Sequence, residues 1–197
     1  MLEVELKSVV DDPAVRRAAV EAAGAALTFE GHLADRRYDT SNLALQARDE
    51  VLRVRAYSGA STVRVELDWK GPTKRDGGYK VREELEVHVG EPDALAAILD
   101  RLGYAVTIAI DREIAQYDLG GAMIRFERYP RMDDLVEVEG SPEQIERAIT
   151  ALGLPRDGFT SERLPDFVRR FEARTGMSAA LSDGELRGDV HYDPSNA

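Results

Sequence analysis

Strand-like stretches with charge on one face and apolar side chains on the other recur along this chain, and that pattern constrains its fold most. Residues two apart share a face of a strand. In "MLEVELKS" the alternation puts Leu2, Val4 and Leu6 on one side and Glu3, Glu5 and Lys7 on the other. "EVLRVRAY" sets Arg53 and Arg55 against Leu52 and Val54. "TVRVELDWK" sets Arg64, Glu66, Asp68 and Lys70 against Val63, Val65, Leu67 and Trp69. "GGAMIRFERY" sets Arg125 and Glu127 against Ile124 and Phe126. With Arg82, Glu84, Glu86, Arg112, Glu137 and Glu139, the charged faces collect eight cations and nine carboxylates.

Three of these strands lead into the same device. Glu3-x-Glu5, Glu84-x-Glu86 and Glu137-x-Glu139 are each followed by a proline (Pro13, Pro92, Pro142), a helical stretch and a glycine (Gly24, Gly103, Gly153). Proline just inside a helix start and glycine just past its end mark the boundaries. Leu95, Ile98, Leu99 and Leu102 form one apolar stripe, and Ile145, Ala148, Ile149 and Leu152 another, so these helices read as covers for a sheet. Asp76-Gly77-Gly78 reads as a hairpin turn. "LPDFVRRFEARTG" reads as a last short helix with Phe167, Val168 and Phe171 on one side, and the residues from Met177 onward as a loosely held tail. The expected organisation is one domain over residues 1–176 and a flexible tail over 177–197.

Two architectures satisfy the pattern. One is an open antiparallel sheet with helices on its apolar face and the charged face in water. The other is a closed barrel with apolar faces outward under the helices and charged faces lining the lumen. A lumen that charged has to be wet and ligand-binding, because burying so many charges dry is very costly.

A net charge of −11 argues against broad nucleic-acid binding, which needs cationic surface to displace counterions. It leaves room for a polyanionic ligand where basic residues are gathered or divalent metals bridge carboxylate to phosphate. No apolar run approaches the ~20 residues that cross a bilayer. Without cysteine there is no disulfide framework and no thiolate zinc site, and the cytoplasm is the expected compartment.

The order of motifs resembles the CYTH superfamily of triphosphate tunnel metalloenzymes, and within it the bacterial class IV (CyaB-type) adenylyl cyclases. The matching segments are "EVELK", "YDT" (Tyr38–Thr40), "ARDEVLRVR", "WKGP", "VREELE" and "LVEVEG", in family order from residue 1 to about residue 170. The resemblance implies an α+β fold, a closed eight-stranded antiparallel tunnel barrel with a charged lumen covered by amphipathic helices. It implies that the tunnel takes a triphosphate with Mg²⁺ or Mn²⁺. Position by position it makes Glu3, Glu5, Glu127, Glu137 and Glu139 metal ligands, with Glu127 where the family usually has Asp. Lys7, Arg53, Arg55, Lys70 and Arg112 become the triphosphate grip, to which the charged strand faces add Arg82 and Arg125; Lys7, Arg55 and Lys70 are the expected catalytic residues. Glu84 and Glu86 become lumen support.

One departure stands out. The family usually has Lys-x-Arg where this chain has Ile110-Asp111-Arg112, so one lumen cation is replaced by an apolar side chain, with Arg125 the candidate to supply the charge. The implied activity is that of an adenylyl cyclase making cyclic AMP and pyrophosphate from ATP. The alternatives are a triphosphatase acting on tripolyphosphate, thiamine triphosphate or a nucleoside triphosphate, and a non-catalytic phosphate-binding module. The expected partner is a small-molecule triphosphate, with no nucleic acid and no membrane; a homodimer fits a barrel of this size. His32, His88 and His191 lack zinc spacing and read as structural or surface residues, and Trp69 as packing beneath a helix.

Overall fold

The computed structural model describes residues 2–191. Strand alternation dominates from the first residues. β1 (Leu2–Val9), β2 (Ala26–Thr40), β3 (Val51–Gly59), β4 (Val63–Lys70) and β6 (Tyr79–His88) form the first half, with β5 (Lys74–Asp76) a short hairpin arm on β6. β7 (Tyr104–Leu119), β8 (Ala122–Arg128) and β9 (Leu135–Glu139) form the second. The strands pair in the order β1-β9-β8-β7-β2-β3-β4-β6-β5, all antiparallel, and β1 also pairs with β6. That last pairing shuts the sheet. Eight strands make a closed barrel, and β5 lies outside the closure. The open-sheet alternative is excluded.

Closure settles which face is inside. Cross-strand partners share a face, and the register sets Lys7 opposite Glu137, Glu5 opposite Glu139, Arg55 opposite Glu66 and Arg53 opposite Asp68. These charged residues face one another across the lumen. Leu6 and Val138, between these charges in sequence, and the cross-strand pair Tyr117 and Ile124 face outward and are fully buried beneath helices.

α1 (Pro13–Ala22) and α3 (Pro142–Leu152) provide that cover, packing Val20, Ile145, Ile149 and Leu152 onto the outward faces of β1, β8 and β9. α3 starts with a capping box in which Ser141 and Gln144 satisfy each other's backbone N–H groups, and ends at Gly153 with φ 65°. α2 (Pro92–Arg101) departs from expectation: of its apolar stripe only Leu99 is buried, while Ile98 and Leu102 are exposed. It rests against β7, so its stripe is not spread across a sheet face. α4 (Leu164–Thr175) packs Leu164, Phe167 and Val168 with Ile108, Ile110, Tyr129 and Leu135 in a second apolar cluster.

Part of the segment read as loosely held is packed. Ala180 pairs with Arg131, Leu181 accepts a hydrogen bond from the Asp111 N–H, and Ala180, Leu181 and Ser182 are buried. Ser182 then caps a short helix, α5 (Asp183–Arg187). The stretch 192–197 of the expected tail lies outside the described residues.

Candidate active site in the barrel lumen

The lumen divides into two chambers of unlike charge. The first, about 80 Å³, is basic: Lys7, Arg37, Arg53, Lys70, Lys80, Arg82, Arg112 and Arg125 line it with Glu5 and Glu137, and Arg163 at the start of α4 borders it. The second, about 260 Å³, is a carboxylate mouth lined by Glu3, Glu66, Glu84, Glu86 and Glu139 with Arg55, Arg64 and Tyr57. Arg125 lines both. A groove of similar size, about 280 Å³, runs outside the barrel between Pro13, Arg17, Phe126 and Asp134. Its charges are mixed and dispersed, so the convergent chemistry lies in the lumen.

Ion pairs hold most lumen charges in place. Lys7 bonds Glu137 at 2.5 Å and lies 3.7 Å from Glu127. Arg125 bridges Glu137 and Glu127. Arg112 reaches Glu127 at 3.1 Å and Asp35 at 3.4 Å, and Tyr129 donates its hydroxyl to Glu127 at 2.7 Å. Arg53 meets Asp68 at 3.1 Å and Asp35 at 3.4 Å, while Arg55 bonds Asp68 and, at 2.9 Å, Glu86. Lys70 is held by Glu3, and Lys80 by Glu5 at 2.5 Å. Arg82 is used differently: it donates to the carbonyls of Gly71 and Asp49, clamping the chain on either side of β3 and β4.

The carboxylates split into two electrostatic classes. Burial alone would raise Glu5, but Lys80 holds it down to about 2. Burial also opposes ionisation of Glu137 and Glu127, yet Arg125, Lys7 and Arg112 hold both below their ordinary value. Glu139 goes the other way: burial, then Glu3 and Glu137 close by, push it up to about 8. Glu3 is raised by burial and Glu5 despite Lys70. These two raised carboxyls, Glu3 and Glu139, line the mouth.

Of the five residues expected as metal ligands, Glu3 and Glu139 come together with Glu84, their oxygens within 4.8 Å of one another. Glu5, Glu127 and Glu137 sit deeper, engaged by lysine and arginine. A second trio, Glu66, Asp68 and Glu86, surrounds Arg55. Lys70 joins Glu3 and Glu84, and Arg53 and Arg55 reach Glu84 at 3.5 and 3.9 Å, so among the described residues Glu139 is the member of the first trio with no ion pair. All-oxygen donors of this kind suit a hard divalent cation.

The seven cations expected to grip phosphate all reach the lumen, six of them in the basic chamber and Arg55 in the mouth. Ile110 faces the same interior, opposite Asp35, and is fully buried against the α4 cluster. Arg125 is already committed to Glu127 and Glu137, so the charge missing at position 110 is not its spare. The sequence reading missed Asp35, Arg37, Lys80 and Tyr129. The signal for the first two was Leu33-x-Asp35-x-Arg37-x-Asp39, an alternation hidden by the arginine at position 36. His32 lies outside, 3.0 Å from Glu113. His88 is exposed near Glu66.

The model of the CYTH domain matches residues 1–149. The chain belongs to the CYTH family. No curated protein matches its sequence. Among solved structures, a candidate adenylate cyclase from Vibrio parahaemolyticus superposes with a TM-score of 0.72 at 18% identity, covering 86% of this chain and 98% of that one. PH1819 from Pyrococcus horikoshii OT3 gives 0.68 at 24% identity, covering 82% and 94%. A Hippeastrum candidate adenylyl cyclase with a dominant triphosphatase activity gives 0.59 at 16%, covering 92% and 98%. At these identities the neighbours share the CYTH barrel with this chain, and the likeness is one of fold.

Proposed function

We propose that this CYTH protein is a divalent-metal-dependent triphosphatase, cleaving tripolyphosphate or the triphosphate end of an organic substrate within the barrel. The observation that carries this reading is the division of the lumen into a cationic chamber and a carboxylate-rich mouth, with Arg125 lining both. A phosphate chain is the ligand that satisfies both, its oxygens on the arginines and lysines and its metal on the glutamates. Glu3, Glu84 and Glu139 would hold Mg²⁺ or Mn²⁺, which supplies charge neutralisation at phosphate oxygens.

The chain's own residues do the remaining work. Lys7, Arg53 and Arg112, fixed by buried carboxylates, place the chain and oppose the charge that collects on the leaving phosphate. In hydrolysis a water oxygen bonds to the terminal phosphorus, the bridging P–O bond breaks with its electron pair on the departing diphosphate oxygen, and the proton lost by the water passes to solvent or to that diphosphate. Positioning in a preorganised field supplies most of such catalysis.

A second reading, cyclisation of ATP, draws on the size of the mouth beside Tyr57, which offers a nucleoside room next to Glu139. The protein would then act on the same small-molecule triphosphates in the cytoplasm. The deciding experiment incubates it with tripolyphosphate and separately with ATP, with Mg²⁺ or Mn²⁺, and follows products by phosphorus NMR and nucleotide chromatography. Orthophosphate release supports the triphosphatase; cyclic AMP with pyrophosphate moves the protein to the cyclases. No product, with tripolyphosphate still raising the melting temperature, makes it a binding module.

A further inference from the structure

Arg37 is out of keeping with the other lumen cations. It stands directly opposite Arg53 in the β2–β3 ladder, and like charges so placed destabilise a sheet. Arg53 is compensated by Asp68 and Asp35. Among the described residues, no carboxylate oxygen comes within the 4.0 Å of an ion pair with Arg37, and its buried Nε has no hydrogen-bond partner. Burial pushes its pKa down to about 10; Asp35 opposes this, while Arg53, Arg112 and Arg82 add to it.

The backbone holds the side chain in that position. The β2–β7 register shifts between Arg37 and Tyr38, leaving Thr107 as the extra residue, and its hydroxyl donates to the Arg37 carbonyl at 3.4 Å. Such bulges re-aim side chains and recur beside active sites. Here the guanidinium lines the basic chamber and the adjoining groove by Asp39 and Asp49, on the side away from the carboxylate mouth. Across from it on β7 stand Ile108 and, one step on, Ile110, so that wall offers it no charge.

We infer that Arg37 binds phosphate in place of the cation missing at Ile110, holds the phosphoryl group farthest from the carboxylate mouth, and so makes the site favour three linked phosphates over two. This rests on the triphosphate reading above. An unpaired guanidinium crowded by three others is a cost to the empty protein that a multiply charged oxyanion removes.

The test is calorimetric titration of wild type, R37Q and R37K with tripolyphosphate and with pyrophosphate, at fixed ionic strength and without divalent metal so that binding is read apart from turnover, alongside melting temperatures without ligand. R37Q is expected to weaken tripolyphosphate binding about tenfold or more and pyrophosphate binding less than about threefold, with R37K between. Its ligand-free melting temperature should equal or exceed that of wild type, since a repulsive charge has gone. Equal tripolyphosphate affinity in wild type and R37Q overturns the assignment to Arg37 alone. An equal loss on both anions overturns the distal placement. A ligand-free R37Q that melts several degrees lower, or does not fold, assigns Arg37 to the fold and overturns it as a ligand. A wild type that binds no tripolyphosphate removes the triphosphate reading itself.

Discussion

Glu139 ties the site to pH. Burial and the neighbouring Glu3 and Glu137 raise its pKa from 4.5 to about 8. A carboxyl raised in the folded state contributes stability that is complete below its unfolded pKa and is lost as pH rises through the folded value. Ligand-free protein should therefore lose stability, on the order of a few kcal/mol, between about pH 5 and pH 9. Denaturant unfolding across that range measures it. Glu139→Gln should flatten the profile and cut metal-dependent turnover by about a hundredfold or more. Unchanged turnover would remove Glu139 from the metal site.

Ile110 argues in the opposite direction. It is fully buried among Ile108, Tyr129, Leu135 and the α4 side chains, so Ile110→Lys places an ammonium in an apolar pocket. The expected result is a melting temperature lower by several degrees with no gain in turnover. A gain with stability intact would mean that Asp35, opposite on β2, accepts the lysine.

The elements explain what could be read in advance. Glu-x-Glu strands, proline-started helices and the hairpin at Gly77-Gly78 are local patterns, and the chain honours them. β2 resisted reading because its alternation crosses two register irregularities, at Leu27/Phe29 and Arg37/Tyr38, and its middle is interrupted by Arg36. Pairing along a strand is set by neighbours far away in sequence, so Asp35 and Arg37 became legible only when β3 and β7 were in place. The partition of carboxylates between metal-like and ion-paired roles is likewise a property of the assembled lumen. At the strand level Gly31 is a pinch point: its φ is +152°, and a Cβ there would sit 2.3 Å from the Ser58 carbonyl oxygen. Gly31→Ala should destabilise the barrel by about 2–4 kcal/mol, measurable by denaturant unfolding. A neutral effect would mean that the β2–β3 ladder yields there.

For the whole molecule, net charge and local charge oppose each other. The chain carries −11 overall, yet one chamber of the barrel is lined mainly by cations. Long-range approach of a triphosphate should be slowed by the protein's field, whereas its grip is short-range and partly desolvated. Raising salt from about 0.05 to 0.5 M should therefore speed association while changing dissociation little, a contrast that stopped-flow binding measures. Association slowed by salt would show that the basic chamber, and not the net charge, governs approach.

The seam that shuts the barrel also sets an order of events. β1 precedes every other strand of the barrel, but its two neighbours are Lys80–Glu83 and Leu135–Glu139. During synthesis β1 waits, one face greasy and the other ionic, until β6 and then β9 have emerged. Enclosing the charged interior thus joins the strand that emerges earliest to the last strand of each half of the barrel. Non-local pairing of that kind is slow, and bulk joined directly ahead of β1 would weigh on the step that completes the tunnel.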